Sequence, residues 1–261
     1  MLLAVDIGNT QTVIGVFDGE ILKTHFRLSS SANRTSYEYG VLVREVLQDC
    51  GLKMNQLSCA IISSVVPPLT EVFHTMVRDK LGQEPILIGP GVKTGMPILY
   101  DNPREVGADR IVNAVAAFHA IGDTPEGPWG VIIADFGTAI TFDVVSPRGE
   151  YLGGAISPGV NISTDALFQR ASKLPKVELQ VPASSIGKTT VTSMQAGILY
   201  GYVALVDGMV RRMQSELQFQ TKVLATGGMA KVLCPYTETI ELVDELLTLK
   251  GLLLIHQRNQ R

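Results

Sequence analysis

Two short strings stand at the ends of apolar runs in this chain: Asp6-Ile7-Gly8-Asn9-Thr10 and Asp135-Phe136-Gly137-Thr138-Ala139. A turn after an apolar strand aims backbone N–H groups outward, and glycine lets a phosphate oxygen come close to the backbone. The hydroxyls of Thr10, Thr12 and Thr138 and the amide of Asn9 add donors. The carboxylates of Asp6 and Asp135 would repel a phosphate unless a cation lay between, since hard cations bind carboxylate and phosphate together. One Asp-x-Gly turn is ordinarily just a turn. A matched pair, each followed by Thr and a strand-forming run, points to a grip on a nucleotide tail. Further on, Thr226-Gly227-Gly228 follows an apolar run, and its glycine pair would let a base or ribose lie against the backbone.

The segment Tyr100–Arg110 carries the reactive candidates. From Ile111 onward Val112, Val115, Ala116 and His119 recur at helical spacing, which puts Asp109 and Arg110 in a loop or a first helical turn. Two roles are open to Asp109 on this evidence. It caps the helix electrostatically, or it takes the proton from a substrate hydroxyl during phosphoryl transfer, a reaction that needs little beyond positioning, charge neutralisation and such a base. Arg110 offers a bidentate fork to a substrate carboxylate.

The elements that must position these residues occur twice. Leu2–Val5, Thr12–Phe17 and Ile21–Leu28 read as strands, the last after an Asp18-Gly19 turn. A helix follows with Thr35 and Glu38 as a capping box, then a strand (Cys59–Ser63), a helix stopped by Gly82 and a strand (Pro85–Ile88). Val131–Ala134, Ile140–Val145 and Tyr151–Ile156 open the second half in the same manner. A helical stretch over Val191–Leu217, a strand (Lys222–Ala225), a helix, a strand (Thr239–Val243) and a last helix from about Glu245 complete it. The two Asp-x-Gly turns fall at the same point of each half. The fold class expected is therefore α/β, a duplicated βββαβαβ unit with mixed sheets flanked by helices. The domains expected are 1–121 and 129–261, with Gly122–Gly130 as the boundary.

Two phosphate turns and a late glycine pair in this order resemble the actin-like ATPase superfamily, which places two ribonuclease-H-like domains around an ATP cleft. A narrower resemblance rests on Asp6-Ile7-Gly8-Asn9-Thr10, Asn102-Pro103 with Gly107-Ala108-Asp109-Arg110, Asp135-Phe136-Gly137-Thr138-Ala139, and Gly153-Gly154 with Pro158-Gly159. This set is similar to that of type III pantothenate kinases, in order and spacing, over nearly the whole chain. The resemblance implies transfer of the γ-phosphate of ATP to pantothenate, the first step toward coenzyme A, with Asp109 as proton acceptor. It implies that Asp6, Ile7, Gly8, Asn9, Thr10, Gln11, Thr12 and Val13, with Thr138, hold ATP. Tyr100, Gly107, Ala108, Asp109, Arg110 and Thr190 would line the pantothenate pocket. Asp6 would serve Mg²⁺ through water, and Asp135 a monovalent cation, K⁺ or NH₄⁺. Family members are homodimers, with the substrate pocket near the subunit interface.

Composition narrows the field. The 261 residues carry 22 basic and 25 acidic side chains with no Lys/Arg run, which argues against a nucleic-acid partner. The three cysteines show no metal-ligand spacing, no signal peptide is expected, and the apolar tail is too short for a membrane span, so a cytoplasmic location is expected. Gly187-Lys188-Thr189-Thr190 imitates the end of a P-loop, but Pro182 stands where that loop needs glycine. Two rival readings remain. One is a kinase of the same fold acting on another small hydroxylated substrate; the other is a related regulatory protein, a transcription accessory factor.

Overall fold

The computed structural model describes residues 1–124 and 127–260. The chain divides into two compact units: Met1–Ala116 with Leu246–Arg261, and Ala117–Glu245.

The first unit is built on a five-stranded sheet, order β3-β2-β1-β4-β5. Its strands are β1 (Leu2–Ile7), β2 (Gln11–Asp18), β3 (Ile21–Ser29), β4 (Cys59–Ser64) and β5 (Ile86–Leu87). The three N-terminal strands pair antiparallel, while β4 and β5 join parallel to β1. Central β1 is almost continuously apolar because both its faces are covered. Edge strand β3 turns Lys23, His25 and Arg27 to solvent, which discourages edge-to-edge pairing. Helices α1 (Ser36–Asp49) and α2 (Pro67–Leu81) cover one face, where Leu3, Val5, Ile7, Tyr39, Leu47 and Phe73 form the core. The expected capping box is present: the Thr35 N–H donates to Glu38 Oε2 (2.7 Å) and the Glu38 N–H to Thr35 Oγ1 (3.3 Å). Gly82 ends α2 with φ 66°, the left-handed conformation that glycine adopts without strain.

The first unit also includes α3 (Ala108–Ala117), apart from its last residue, and α7 (Leu247–Asn259). Helix α7 packs on β1, β2 and β4. Gly15 in β2 makes room for it, since a Cβ there would lie 2.9 Å from Leu249 Cδ1. Gly251 lets α7 touch α3, where an added Cβ would meet the Val112 carbonyl at 2.2 Å. The Thr248 hydroxyl donates to Asn113 Oδ1 (2.7 Å) across the same contact. The compact units therefore differ from the sequence-based domains 1–121 and 129–261. The last helix follows the second half in the chain, but its apolar face of Leu249, Leu252 and Ile255 is buried with the first unit. The division itself falls where α3 gives way to a π-helical turn over Phe118–Gly122.

The second unit repeats the plan. Its sheet has the order β10-β9-β8-β11-β12, from β8 (Gly130–Phe136), β9 (Ala139–Val145), β10 (Tyr151–Pro158), β11 (Thr221–Thr226) and β12 (Leu242–Val243). A two-residue hairpin, β6 (Asp123–Thr124) with β7 (Gly127–Pro128), occupies the expected boundary, of which residues 125 and 126 lie outside the described residues. Helices α4 (Val160–Arg170), α5 (Thr190–Glu216) and α6 (Ala230–Leu233) complete the unit, with a core of Ile132, Phe136, Phe142, Leu199, Val206 and Leu233. Three details depart from expectation. Helix α4 is an addition, α6 is only one turn, and the final strand shrinks to Leu242–Val243.

Candidate active site

At the carboxyl end of β1 the chain reverses through Gly8-Asn9-Thr10 into β2. The Gly8 N–H closes the turn on the Gln11 carbonyl (3.1 Å), and a Cβ on Gly8 would stand 3.0 Å from that oxygen. Ser30 braces the turn: its hydroxyl donates to the Gly8 carbonyl (2.6 Å), and its N–H donates to the Thr10 carbonyl (3.0 Å). Thr12 is fully buried, and its hydroxyl is shared with Ser30 Oγ at 3.0 Å. Among the expected ATP contacts, then, Asn9, Thr10 and Gln11 present exposed side chains, and Asp6, Gly8 and Val13 are half-buried. Ile7 has its side chain in the core, and Thr12 supports the turn from beneath.

The segment Tyr100–Arg110, which carries the expected base, reaches this same end of the first sheet. Asn102 caps a 3₁₀ turn at Pro103–Glu105, accepting from the Arg104 N–H (3.3 Å) while its amide donates to Glu105 Oε1 (2.8 Å). Gly107 then leads into α3, and a Cβ there would fall 2.6 Å from Asp109 Oδ1 and 3.6 Å from a Val65 methyl. Val65 directly follows β4, and its N–H donates to the Ile7 carbonyl (3.1 Å). Gly107, Ala108, Asp109 and Arg110 are thereby held beside the ends of β1 and β4, where Asp6 sits. Tyr100 lies half-buried ahead of the 3₁₀ turn.

Asp109 is the second residue of α3, so the position before the helix belongs to Gly107 and not to a side-chain cap. Burial raises the Asp109 pKa above the ordinary carboxylate value. The Arg110 N–H at 2.8 Å, the Arg110 charge and Asp109's own N–H pull it down, and desolvation prevails. A carboxylate raised in this way is a better proton acceptor than one in water. Arg110 beside it is 7% exposed, so its charge acts in a poorly hydrated setting.

In the second unit Asp135 stands near the end of β8, with Thr141 on β9 and Thr226 on β11 as its register partners. The Gly137 N–H closes the turn on the Ala139 carbonyl (3.0 Å), leaving Gly137 and Thr138 exposed. Two further glycines are jammed against this turn. A Cβ on Gly159 would be 2.2 Å from the Thr138 carbonyl, and one on Gly227 would be 2.5 Å from Asp135 Oδ1. Gly227 also adopts φ +93°, so no other residue type suits it. The sequence offered the Gly227-Gly228 pair as a seat for a base, whereas Gly227 serves to back the Asp135 turn and only Gly228 is exposed.

Thr190 is the first residue of α5, after the N-cap Thr189, and it lines a pocket of about 890 Å³ with Lys188, Ser193, Met194, Leu167 and Tyr202. Tyr202 ties that pocket to Gly159, which packs against the Asp135 turn. Its hydroxyl bonds Ser163 Oγ (2.6 Å) and lies 3.2 Å from the carbonyls of Pro158 and Gly159. The sequence does not single out Ser30, Tyr202 or Ser63 (the register partner of Asp6 on β4), because none sits in a spaced motif; Ser30 and Tyr202 are revealed by hydrogen bonds to residues distant in the chain, and Ser63 by strand register. Among the described residues no cluster of three or more His, Cys, Asp or Glu side chains could hold a metal ion by itself.

The sequence profile of the family described as type III pantothenate kinase matches residues 2–212. A type III pantothenate kinase from Myxococcus xanthus is 56% identical over 99% of both chains, and one from Geobacter sulfurreducens is 53% identical over the whole of both. Solved structures share the fold at low identity. A candidate Baf family transcriptional activator from Campylobacter jejuni superposes with TM-score 0.61 at 21% identity, covering 99% of this chain and 98% of that one. An inorganic polyphosphate/ATP-glucomannokinase from Arthrobacter superposes at 0.53 with 14% identity, covering 100% and 99%. The fold is thus that of the actin-like ATPases and sugar kinases, and the full-length matches leave no segment of the plan unaccounted for. This chain belongs to the type III pantothenate kinase family.

Proposed function

We propose that this chain transfers the γ-phosphate of ATP to the primary hydroxyl of pantothenate, yielding 4'-phosphopantothenate and ADP in the first step of coenzyme A synthesis. The observation that carries the reading is Asp109, a half-buried carboxylate with a raised pKa on the first turn of α3, in a chain of this family. The hydroxyl oxygen attacks the γ-phosphorus in line, its proton passes to Asp109, and the bond to the β-phosphate oxygen breaks as ADP leaves. Arg110 pairs with the pantothenate carboxylate, and Tyr100, Gly107 and Ala108 shape the pocket around it; Thr190 is the second unit's candidate for contact with this substrate.

In the first unit the exposed tip Asn9–Gln11 takes the phosphates, with Asp6, Gly8 and Val13 around it and Ile7 and Thr12 supporting the turn from beneath; Thr138 is the second unit's own phosphate-binding hydroxyl. Kinases of this kind use a divalent metal with ATP, and Mg²⁺ supplies charge neutralisation on the transferring phosphate. The donor set suits an ion bound mainly by phosphate and water. Asp6 contributes a single hard carboxylate, and Ser63, a buried hydroxyl with no hydrogen-bond partner among the described residues, lies beside it in register. Asp135, with threonines on both neighbouring strands, offers the oxygen-rich setting that K⁺ or NH₄⁺ prefers.

The working form is a homodimer. Exposed apolar side chains support this reading: Ile156 on β10, Ile162, Leu167 and Phe168 on α4, Ile186 before α5 and Val191 in its first turn. Among the described residues no helix is long and apolar enough to cross a membrane, which is consistent with work in the cytoplasm. A panel of hydroxylated acceptors tests the substrate: pantothenate should give turnover far above simple sugars and hydroxy acids. Equal turnover with a sugar would move the assignment to another kinase of this fold.

A further inference from the structure

Ser63 on β4 is the register partner of Asp6 on β1. In a parallel pair such residues leave the sheet on the same face. That face is opposite the core of Leu3, Val5, Ile7 and Ile62. Ser63 is 0% exposed, and among the described residues its Oγ has no hydrogen-bond partner. An unpaired buried hydroxyl is disfavoured, and alanine would fill the space without that penalty. The second unit repeats the arrangement, with Thr226 on β11, 2% exposed, as the register partner of Asp135. In each unit a buried hydroxyl residue on the adjoining parallel strand accompanies the acidic residue of the phosphate turn.

We propose that Ser63 is a positioning residue: when the cation-bound nucleotide docks, its Oγ–H donates to the Asp6 carboxylate and fixes the orientation in which Asp6 meets the hydrated cation. A neutral donor suits this task, because it restricts the carboxylate without cancelling its charge. Ser63 is too deeply buried to touch the nucleotide, so it acts only through Asp6. The inference rests on the assignment of Asp6 to the metal–nucleotide.

Calorimetric titration of ATP, with Mg²⁺ and separately with EDTA, tests it on wild type, Ser63→Ala, Asp6→Asn and the double variant. Ser63→Ala should melt at the wild-type temperature or above, since an unsatisfied hydroxyl has been removed. It should weaken Mg-ATP binding about tenfold, which corresponds to about 1.4 kcal/mol, and leave binding in EDTA unchanged. In the Asp6→Asn background the same change should have no further effect. A lower melting temperature with unaltered Mg-ATP affinity would make Ser63 merely structural and overturn the inference. So would an equal loss with and without Asp6. Wild-type binding that ignores Mg²⁺ would overturn the assignment of Asp6 itself, and the inference with it.

Discussion

Replacing Asp109 with Asn separates the catalytic need for this carboxylate from its contribution to folding. The amide keeps the size of the side chain and can still accept from the Arg110 N–H, which lies 2.8 Å from Oδ1. It cannot accept the substrate proton. General-base catalysis is typically worth 10²–10⁴-fold, so kcat should fall by that factor, roughly 3–5 kcal/mol of barrier. Nucleotide affinity should hardly change. Stability should move the opposite way. Burial raises the folded-state pKa of Asp109, so the folded protein holds this proton more tightly than the unfolded chain does. The stabilisation is fully present below the unfolded pKa and is lost as pH rises through the folded one. At neutral pH the ionised carboxylate therefore opposes folding, and Asp109→Asn should melt at or above the wild-type temperature. Single-turnover kinetics and thermal melts at pH 7.5 report the two effects. For the wild type, kcat/KM should decline on the acid side through a pKa above the ordinary carboxylate value. A variant that keeps more than about a tenth of wild-type kcat, or an acid limb at or below the ordinary value, would refute the base role.

Other parts of the site make separate demands. Exchanging K⁺ for Na⁺ should greatly lower turnover of the wild type, and Asp135→Ala should abolish that difference; equal rates in the two salts would remove the cation from Asp135. Gly159→Ala forces a methyl to within 2.2 Å of the Thr138 carbonyl. Overpacking of this kind costs about 1–3 kcal/mol, so urea unfolding should show a loss of that size and ATP binding should weaken. Unchanged values for both would mean that the turn yields freely. Phe168→Asp, placed on the exposed apolar surface of α4, should shift a dimer toward monomer in sedimentation by at least about tenfold in Kd. A sedimentation profile identical to wild type would place the interface elsewhere.

The legible parts of this chain were those whose physics is local. Thr35 and Glu38 announced the start of α1, Gly82 announced the end of α2, and the Asp-x-Gly strings marked the turn of each unit. Helix α4 was not legible because Ile162, Leu167 and Phe168 face outward and leave no apolar stripe toward a core. The attachment of α7 to the first unit was hidden for another reason. Its apolar face is evident, but the surface that receives it is prepared by Gly15 and Val112, far away in sequence. The same applies to chemistry. Asp109 could be singled out by its string, yet the raised pKa that suits it to accept a proton comes from burial beside the β4 end. Ser30, Ser63 and Tyr202 gain meaning only through strand register and contacts across more than 20 residues of chain.

The most direct test of the account is ADP release by the wild-type protein in Mg-ATP and KCl, measured with and without pantothenate, with ³¹P NMR identifying the product. The account predicts little ADP without pantothenate, and with it a steady release matched one-to-one by a phosphate monoester on the primary hydroxyl. ADP release that is indifferent to pantothenate, or that yields only inorganic phosphate, would contradict it.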